Sequence, residues 1–154
     1  MKFKQLKAKY VVALILVMGT ICNLRAQNNQ KPPADQNKQI TFIEDDWNGA
    51  LKQAAKQNKY IFVDAYASWC GPCKMLKMTT FKNNKAAAFY NQNFVNVAID
   101  MEKGIGPQLA ATWGMTAYPT LIIFNAKGDP VLGTVGYVKA DDLIAFGQQA
   151  LNKK

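Results

Sequence analysis

Hydrophobic and polar positions in residues 40–154 fall into alternating strand-like and helix-like runs. Ile40 to Ile43 predicts a short first strand. Glu44, Asp45 and Asp46 follow it, and acids there suit a helix start, where the dipole favours negative charge. Trp47, Ala50, Leu51, Ala54 and Ala55 recur at helical spacing and predict one buried face, ending near Asn58. Tyr60 to Tyr66 is β-branched and aromatic, interrupted only by Asp64, and predicts a buried central strand. A helix is expected from Lys74 to about Thr80, with a continuation or second segment over 83–91. Phe94 to Asp100 predicts another strand. Gly104 to Trp113 predicts a shorter helix, whose Pro107 fits only the first turn. Thr120 to Phe124 reads as a strand, residues 126–129 as a hairpin turn, Val131 to Val135 as its returning partner and Ala140 to Leu151 as the last helix. This order, β-α-β-α-β-α-β-β-α, predicts an α/β fold with helices on both faces of a mixed central sheet. Trp47, Trp113, Met75, Met78 and the strand aromatics are expected to be packing residues.

The first 39 residues break this pattern. Lys2, Lys4, Lys7 and Lys9 form a basic start, Val11 to Ile21 an apolar run, and Leu24-Arg25-Ala26 a cleavage-like end. Residues 1–26 therefore have the build of a secretory signal peptide. The apolar run is short for a membrane span; an uncleaved N-terminal anchor is the alternative. A lipoprotein reading through Cys22 places the bulky Ile21 where a small residue is wanted. Residues 27–39, rich in Gln, Asn and Lys and holding Pro32 and Pro33, predict a flexible polar linker. Residues 40–154 are left as one domain.

Removal of the leader changes the charge. The full chain of 154 residues carries a formal net charge of +9. Loss of Lys2, Lys4, Lys7, Lys9 and Arg25, with no acid among residues 1–26, leaves +4. That balance, with no basic stripe between exposed aromatics, argues against nucleic acid as a partner. Three cysteines become two, Cys70 and Cys73, in an oxidising compartment, periplasmic or extracellular. The chain has no histidine, which excludes Cys–His hydrolase chemistry and leaves too few ligands for zinc.

The candidate chemistry lies in Trp69-Cys70-Gly71-Pro72-Cys73-Lys74, where a strand ends and a helix begins. Orphan N–H groups at a helix start favour a thiolate and lower a cysteine pKa from about 8.5 to roughly 3.5–7.5. A disulfide closing so small a loop constrains little unfolded-state entropy, so its purpose is redox rather than structural. Asp64 sits in an apolar strand. Buried without a partner, its carboxyl would stay protonated; at a sheet edge it would be solvated.

These residues resemble thioredoxin. The resemblance rests on the Trp-Cys-Gly-Pro-Cys-Lys run, on Val63-Asp64 before it, on Tyr118-Pro119-Thr120 far downstream, and on Gly133 and Gly136 before the last helix. It covers about Ile40 to Leu151 and implies the thioredoxin fold. It implies that Cys70 attacks a substrate disulfide, that Cys73 resolves the mixed disulfide, and that Asp64 exchanges a proton with Cys73. It also implies that Tyr118-Pro119 is cis and, with Trp69, Gly71 and Pro72, lines the substrate site. Thioredoxins often place a lysine near the acid on the next strand, whereas Val95 to Ala98 offers none here. Tyr118 is bulkier than its usual counterpart. Gly-Pro between the cysteines resembles reducing family members, and the Cys73-to-Pro119 spacing is that of plain thioredoxins. The break at Thr79 to Phe81 is similar to the exported domain of membrane-linked disulfide reductases.

The expected function is therefore an exported protein-disulfide reductase. It would act as a monomer without bound cofactor or metal on disulfide-containing proteins. A membrane thiol carrier would supply its electrons. The alternatives are an oxidase or isomerase working in the other direction, and a binding or chaperone module whose dithiol is incidental.

Overall fold

The computed structural model describes residues 39–153. The expected leader over 1–26 and the linker up to residue 38 lie outside the described residues. Five strands and five helices follow in order: β1 (Ile43–Glu44), α1 (Trp47–Gln57), β2 (Tyr60–Tyr66), α2 (Gly71–Met78), α3 (Asn84–Asn93), β3 (Phe94–Asp100), α4 (Gly106–Thr112), β4 (Thr120–Phe124), β5 (Pro130–Val135) and α5 (Ala140–Leu151). A 3₁₀ turn over Thr80–Lys82 separates α2 from α3.

The sheet order is β1-β3-β2-β4-β5. β2 pairs parallel with β3 along its full length and antiparallel with β4, so it is the central strand. The hairpin of β4 and β5 turns at Gly128, whose φ of +89° is left-handed and costs glycine nothing. Strand alternation sorts the side chains between two layers. Ile61, Val63, Val95, Val97, Ile122 and Phe124 pack with Trp47 and Ala50 of α1, with Leu109 and Ala110 of α4 against them. Phe62, Phe94, Leu121 and Ile123 face the other way, onto Leu76 of α2, Tyr90 of α3 and Leu143 of α5.

Several expectations are corrected. The first strand is Ile43–Glu44, not Ile40–Ile43. The Ile40 N–H donates to the Phe81 carbonyl (2.7 Å) and the Thr41 N–H to Asn91 Oδ1 (2.9 Å), so neither joins a ladder. Ala55 is exposed, because α1 turns only Trp47, Ala50 and Ala54 fully inward. The helix expected from Lys74 starts at Gly71, since Pro72 is tolerated in its first turn. It stops at Met78; Asn83 then caps α3 by accepting from the Lys85 and Ala86 N–H groups. Met75 and Met78 are exposed rather than in the core, because α2 shows the sheet only Cys73 and Leu76, three positions apart. The fourth helix runs from Gly106, not Gly104. A side chain at Gly106 would collide with the Asp100 carbonyl, which explains the glycine there. Trp47 and Trp113 do pack as expected, both against Phe124.

Candidate active site

β2 ends at Tyr66, and the next four residues bring the chain to Cys70, the N-cap of α2. Cys70 and Cys73 form a disulfide with Cα atoms 5.3 Å apart. Both are buried, in a small cluster with Ala67, against which Tyr66 and Tyr118 pack. Exposure therefore does not distinguish the two sulfurs, but hydrogen bonding does. The Cys73 N–H donates to Cys70 Sγ (3.2 Å), and this is the orphan donor that a side-chain N-cap ordinarily satisfies. In the reduced protein the same donor and the helix dipole would stabilise a thiolate at Cys70.

Around the disulfide the expected residues come together. Gly71 and Pro72 are exposed beside it. The Tyr118-Pro119 bond is cis. Its loop is pinned by Gly136 N–H to the Pro119 carbonyl (2.7 Å) and by Thr120 Oγ1 to the Ala117 carbonyl (2.7 Å). Trp69 is 65% exposed, with its ring edge-on to Tyr118 at 6.0 Å. Its indole Nε1 donates to Glu102 Oε2 (2.8 Å). Glu102 in turn donates its N–H to Asp100 Oδ1 (3.1 Å), and Asp100 pairs with Lys103 (2.7 Å). Burial pushes the Asp100 carboxyl up, but Lys103 and the Glu102 N–H outweigh it and hold Asp100 below its ordinary value.

Asp64 lies in the middle of β2, between β3 and β4, and is fully buried, so the sheet-edge alternative does not apply. Neither carboxylate oxygen has a hydrogen-bond partner. Burial raises its pKa to about 7; Lys77 opposes that rise and Glu44 adds to it. An acid titrating there can take and return a proton near neutral pH, as a proton exchanger for a thiol must. Strand β3 offers Asn96 rather than lysine, as expected, and Asn96 Nδ2 is turned to the Thr41 carbonyl (3.3 Å) and Asn91 Oδ1 (3.2 Å). The cation near Asp64 comes instead from α2.

Residues 47–151 match the family described as a thioredoxin-like domain. The chain belongs to the thioredoxin-like family. Its fold is similar to the solution structure of a candidate disulphide-isomerase from Bacteroides thetaiotaomicron, 39% identical at a TM-score of 0.67, covering 75% of this chain and 96% of that one. It is 32% identical over 107 residues to a thioredoxin H-type from Chlamydomonas reinhardtii, covering 68% of this chain and 80% of that protein. It is 28% identical over 132 residues to the thiol:disulfide interchange protein DsbD of Vibrio cholerae, covering 79% of this chain. The chain spans only 22% of that longer protein. The family, its Cys-x-x-Cys disulfide and the cis-proline loop beside it make this chain a thioredoxin-like thiol–disulfide oxidoreductase.

Three charged residues of this thioredoxin-like site were missed in reading the sequence: Glu102, Lys77 and Glu44. Glu102 reads as an ordinary surface acid until the fold brings it under Trp69. Lys77 could have been found from its spacing, since it follows Cys73 by four positions, one helical turn. Among the described residues, no group of three or more His, Cys, Asp or Glu could hold a metal, and no helix is long and apolar enough to cross a membrane.

Proposed function

We propose that this thioredoxin-like chain is an exported protein-disulfide reductase acting as a monomer. The observation that carries the thiol–disulfide chemistry, with Cys70 as the nucleophile, is the Cys73 N–H aimed at Cys70 Sγ at the start of α2. In the reduced form the Cys70 thiolate attacks a substrate disulfide. One substrate sulfur leaves as a thiolate and a Cys70–substrate disulfide forms. Asp64 then accepts the Cys73 proton, and the Cys73 thiolate attacks Cys70 Sγ. The second substrate sulfur is released, and the Cys70–Cys73 disulfide returns. The substrate gains two electrons and the protein dithiol loses two. Trp69, Gly71, Pro72, Tyr118 and Pro119 line the surface on which an extended substrate segment would lie.

Gly-Pro between the cysteines supports the reductive direction, and the leader-like residues 1–26 support export. Electrons would then come from a membrane thiol carrier, a partner supported by the similarity to a thiol:disulfide interchange protein. The test is a reduction potential measured against glutathione. A value near the roughly −270 mV of thioredoxins supports reduction, whereas one near the roughly −120 mV of strong oxidants overturns it. The 39% identity to a candidate disulphide-isomerase favours isomerisation as the second reading. Reactivation of scrambled ribonuclease without net reduction would select that reading. Mass spectrometry of the protein made in cells tests export: the chain should begin near Gln27, and retention of Met1 or acylation of Cys22 would refute the cleaved leader.

A further inference from the structure

The register of the parallel strands aligns Glu44 of β1 with Ala98 of β3, and Ala98 with Asp64 of β2. Neighbours in register share a face of the sheet, so two carboxyl groups flank one alanine methyl. Asp64 is on the same face as Phe62, which packs with Leu76 of α2, so α2 covers this row. Lys77 follows Leu76 on that helix and is half-buried. Its Nζ lies 3.4 Å from the ring centroid of Tyr66, two residues beyond Asp64 and on the same face. That contact holds the ammonium in place. Lys77 and Glu44 also line one open cleft of about 430 Å³, together with Phe42, Met78 and Phe81. One lysine of α2 thus lies over the row that holds a buried acid without a hydrogen-bond partner and an exposed acid.

We propose that Lys77 and Glu44 are a charge couple that sets when Asp64 ionises, and with it the pH at which Cys73 resolves the mixed disulfide. This rests on Asp64 being the base for Cys73. Neither residue of the couple touches the reacting sulfurs; both are positioning residues. The ammonium of Lys77 favours the Asp64 carboxylate, the form that accepts the Cys73 proton. Glu44 disfavours that carboxylate directly and offsets part of the Lys77 charge. The signs of their effects on Asp64 agree, with Lys77 lowering its pKa and Glu44 raising it after burial has set the baseline. The remaining charged and titratable groups around this row are few. α2 brings Cys73, the turn after β1 brings Asp45, β2 itself brings Tyr66, and β3 brings Asp100, already paired with Lys103. β4 sets Leu121 opposite Asp64 and adds no charge.

The experiment uses the full chain with Lys77→Met, which keeps an aliphatic stem over Tyr66, with Lys77→Arg, and with Glu44→Gln. Two midpoints are read in each. One is the Asp64 carboxyl titration by ¹³C NMR in the oxidised protein. The other is the pH midpoint of the resolving step, from single-turnover stopped-flow with a disulfide peptide. Lys77→Met should move both midpoints up, Glu44→Gln should move both down, and Lys77→Arg should stay near the wild type. A substitution that merely loosened packing would not produce opposite signs. Unmoved carboxyl midpoints, shifts of one sign in both variants, or a carboxyl shift without a rate shift would each overturn the couple. Asp64→Asn separates the two ideas. An unchanged resolving rate in that variant defeats the base assignment, whereas unmoved titrations in Lys77→Met defeat the couple alone.

Discussion

On the face of the sheet covered by α1 and α4, β2 presents Ile61, Val63 and Ala65 and β3 presents Val95, Val97 and Ile99, all apolar and buried. Trp47, Trp113 and Phe124 close that layer, with ring centroids 4.9 to 5.1 Å apart. The opposite face of the same strands carries Phe62, Asp64 and Tyr66 beside Phe94, Asn96, Ala98 and Asp100. Its apolar members sit at the strand beginnings, where Phe62 meets Phe81 and Tyr90. Two of its polar members, Asp64 and Asp100, lie further along the strands, whereas Asn96 sits opposite Phe62 and bonds to Thr41 and Asn91. A buried carboxyl is costly wherever it stands. Within β2 and β3 the buried polar side chains are confined to the face turned away from α1 and α4, and the other face of these two strands only packs. One layer therefore only packs, and the other combines packing with the buried carboxyl to which the proposed proton transfer is assigned.

Substitutions can test that division. The largest expected effect is Cys70→Ser, which should abolish dithiothreitol-driven insulin reduction while far-UV circular dichroism stays native. Full activity in that variant would make the N-cap sulfur irrelevant to the chemistry. Phe124→Ala, on the packing face, should cost roughly 3–5 kcal/mol in urea unfolding, with activity per folded molecule retained. Loss of activity at unchanged stability would show that the packing face reaches the site.

Asp64→Asn should have the reverse profile. Its resolving step should slow by about 10²-fold, near the low end for general-base assistance. Because the folded pKa of about 7 lies above the unfolded carboxylate value, the wild type binds more protons folded than unfolded. The contribution of Asp64 to stability is then greatest in acid and is lost as pH rises through about 7, a change of up to about 4 kcal/mol. The Asn variant lacks this loss, so its stability relative to wild type should rise from mildly acidic to mildly alkaline pH in urea titrations of the oxidised forms. A constant difference would place Asp64 outside the linkage. The smallest effect is expected for Met78→Ser. At 65% exposure it should change stability by no more than about 0.5 kcal/mol. A loss of several kcal/mol would mean that the methionine is covered.

The outer half of α2 is where sequence reading went astray. Met75 and Met78 are hydrophobic like Leu76, and only the helix's rotation about its axis, with Cys73 and Leu76 turned inward, decides which side chains are covered. The short β1 misled for a related reason. Ile40 to Ile43 has strand composition, yet Ile40 and Thr41 bond to Phe81 and Asn91, residues the sequence gives no cause to place there.

By itself the sequence determined the central strand Tyr60–Tyr66, β3, β4, the last helix and the redox pair between a strand and a helix. Each of these is a local signal: a period of hydrophobicity, a turn residue or a short spacing between chemically distinctive side chains. Only the tertiary structure decided that Glu102 holds Trp69 and that Glu44 stands one alanine away from Asp64. It alone decided that the cation beside Asp64 comes from α2 rather than from β3. Those pairings join residues far apart in the chain whose types are commonplace on any surface. A lysine or glutamate acquires its role from the strand register and helix packing that bring it to a buried acid. Neither leaves a period in the sequence.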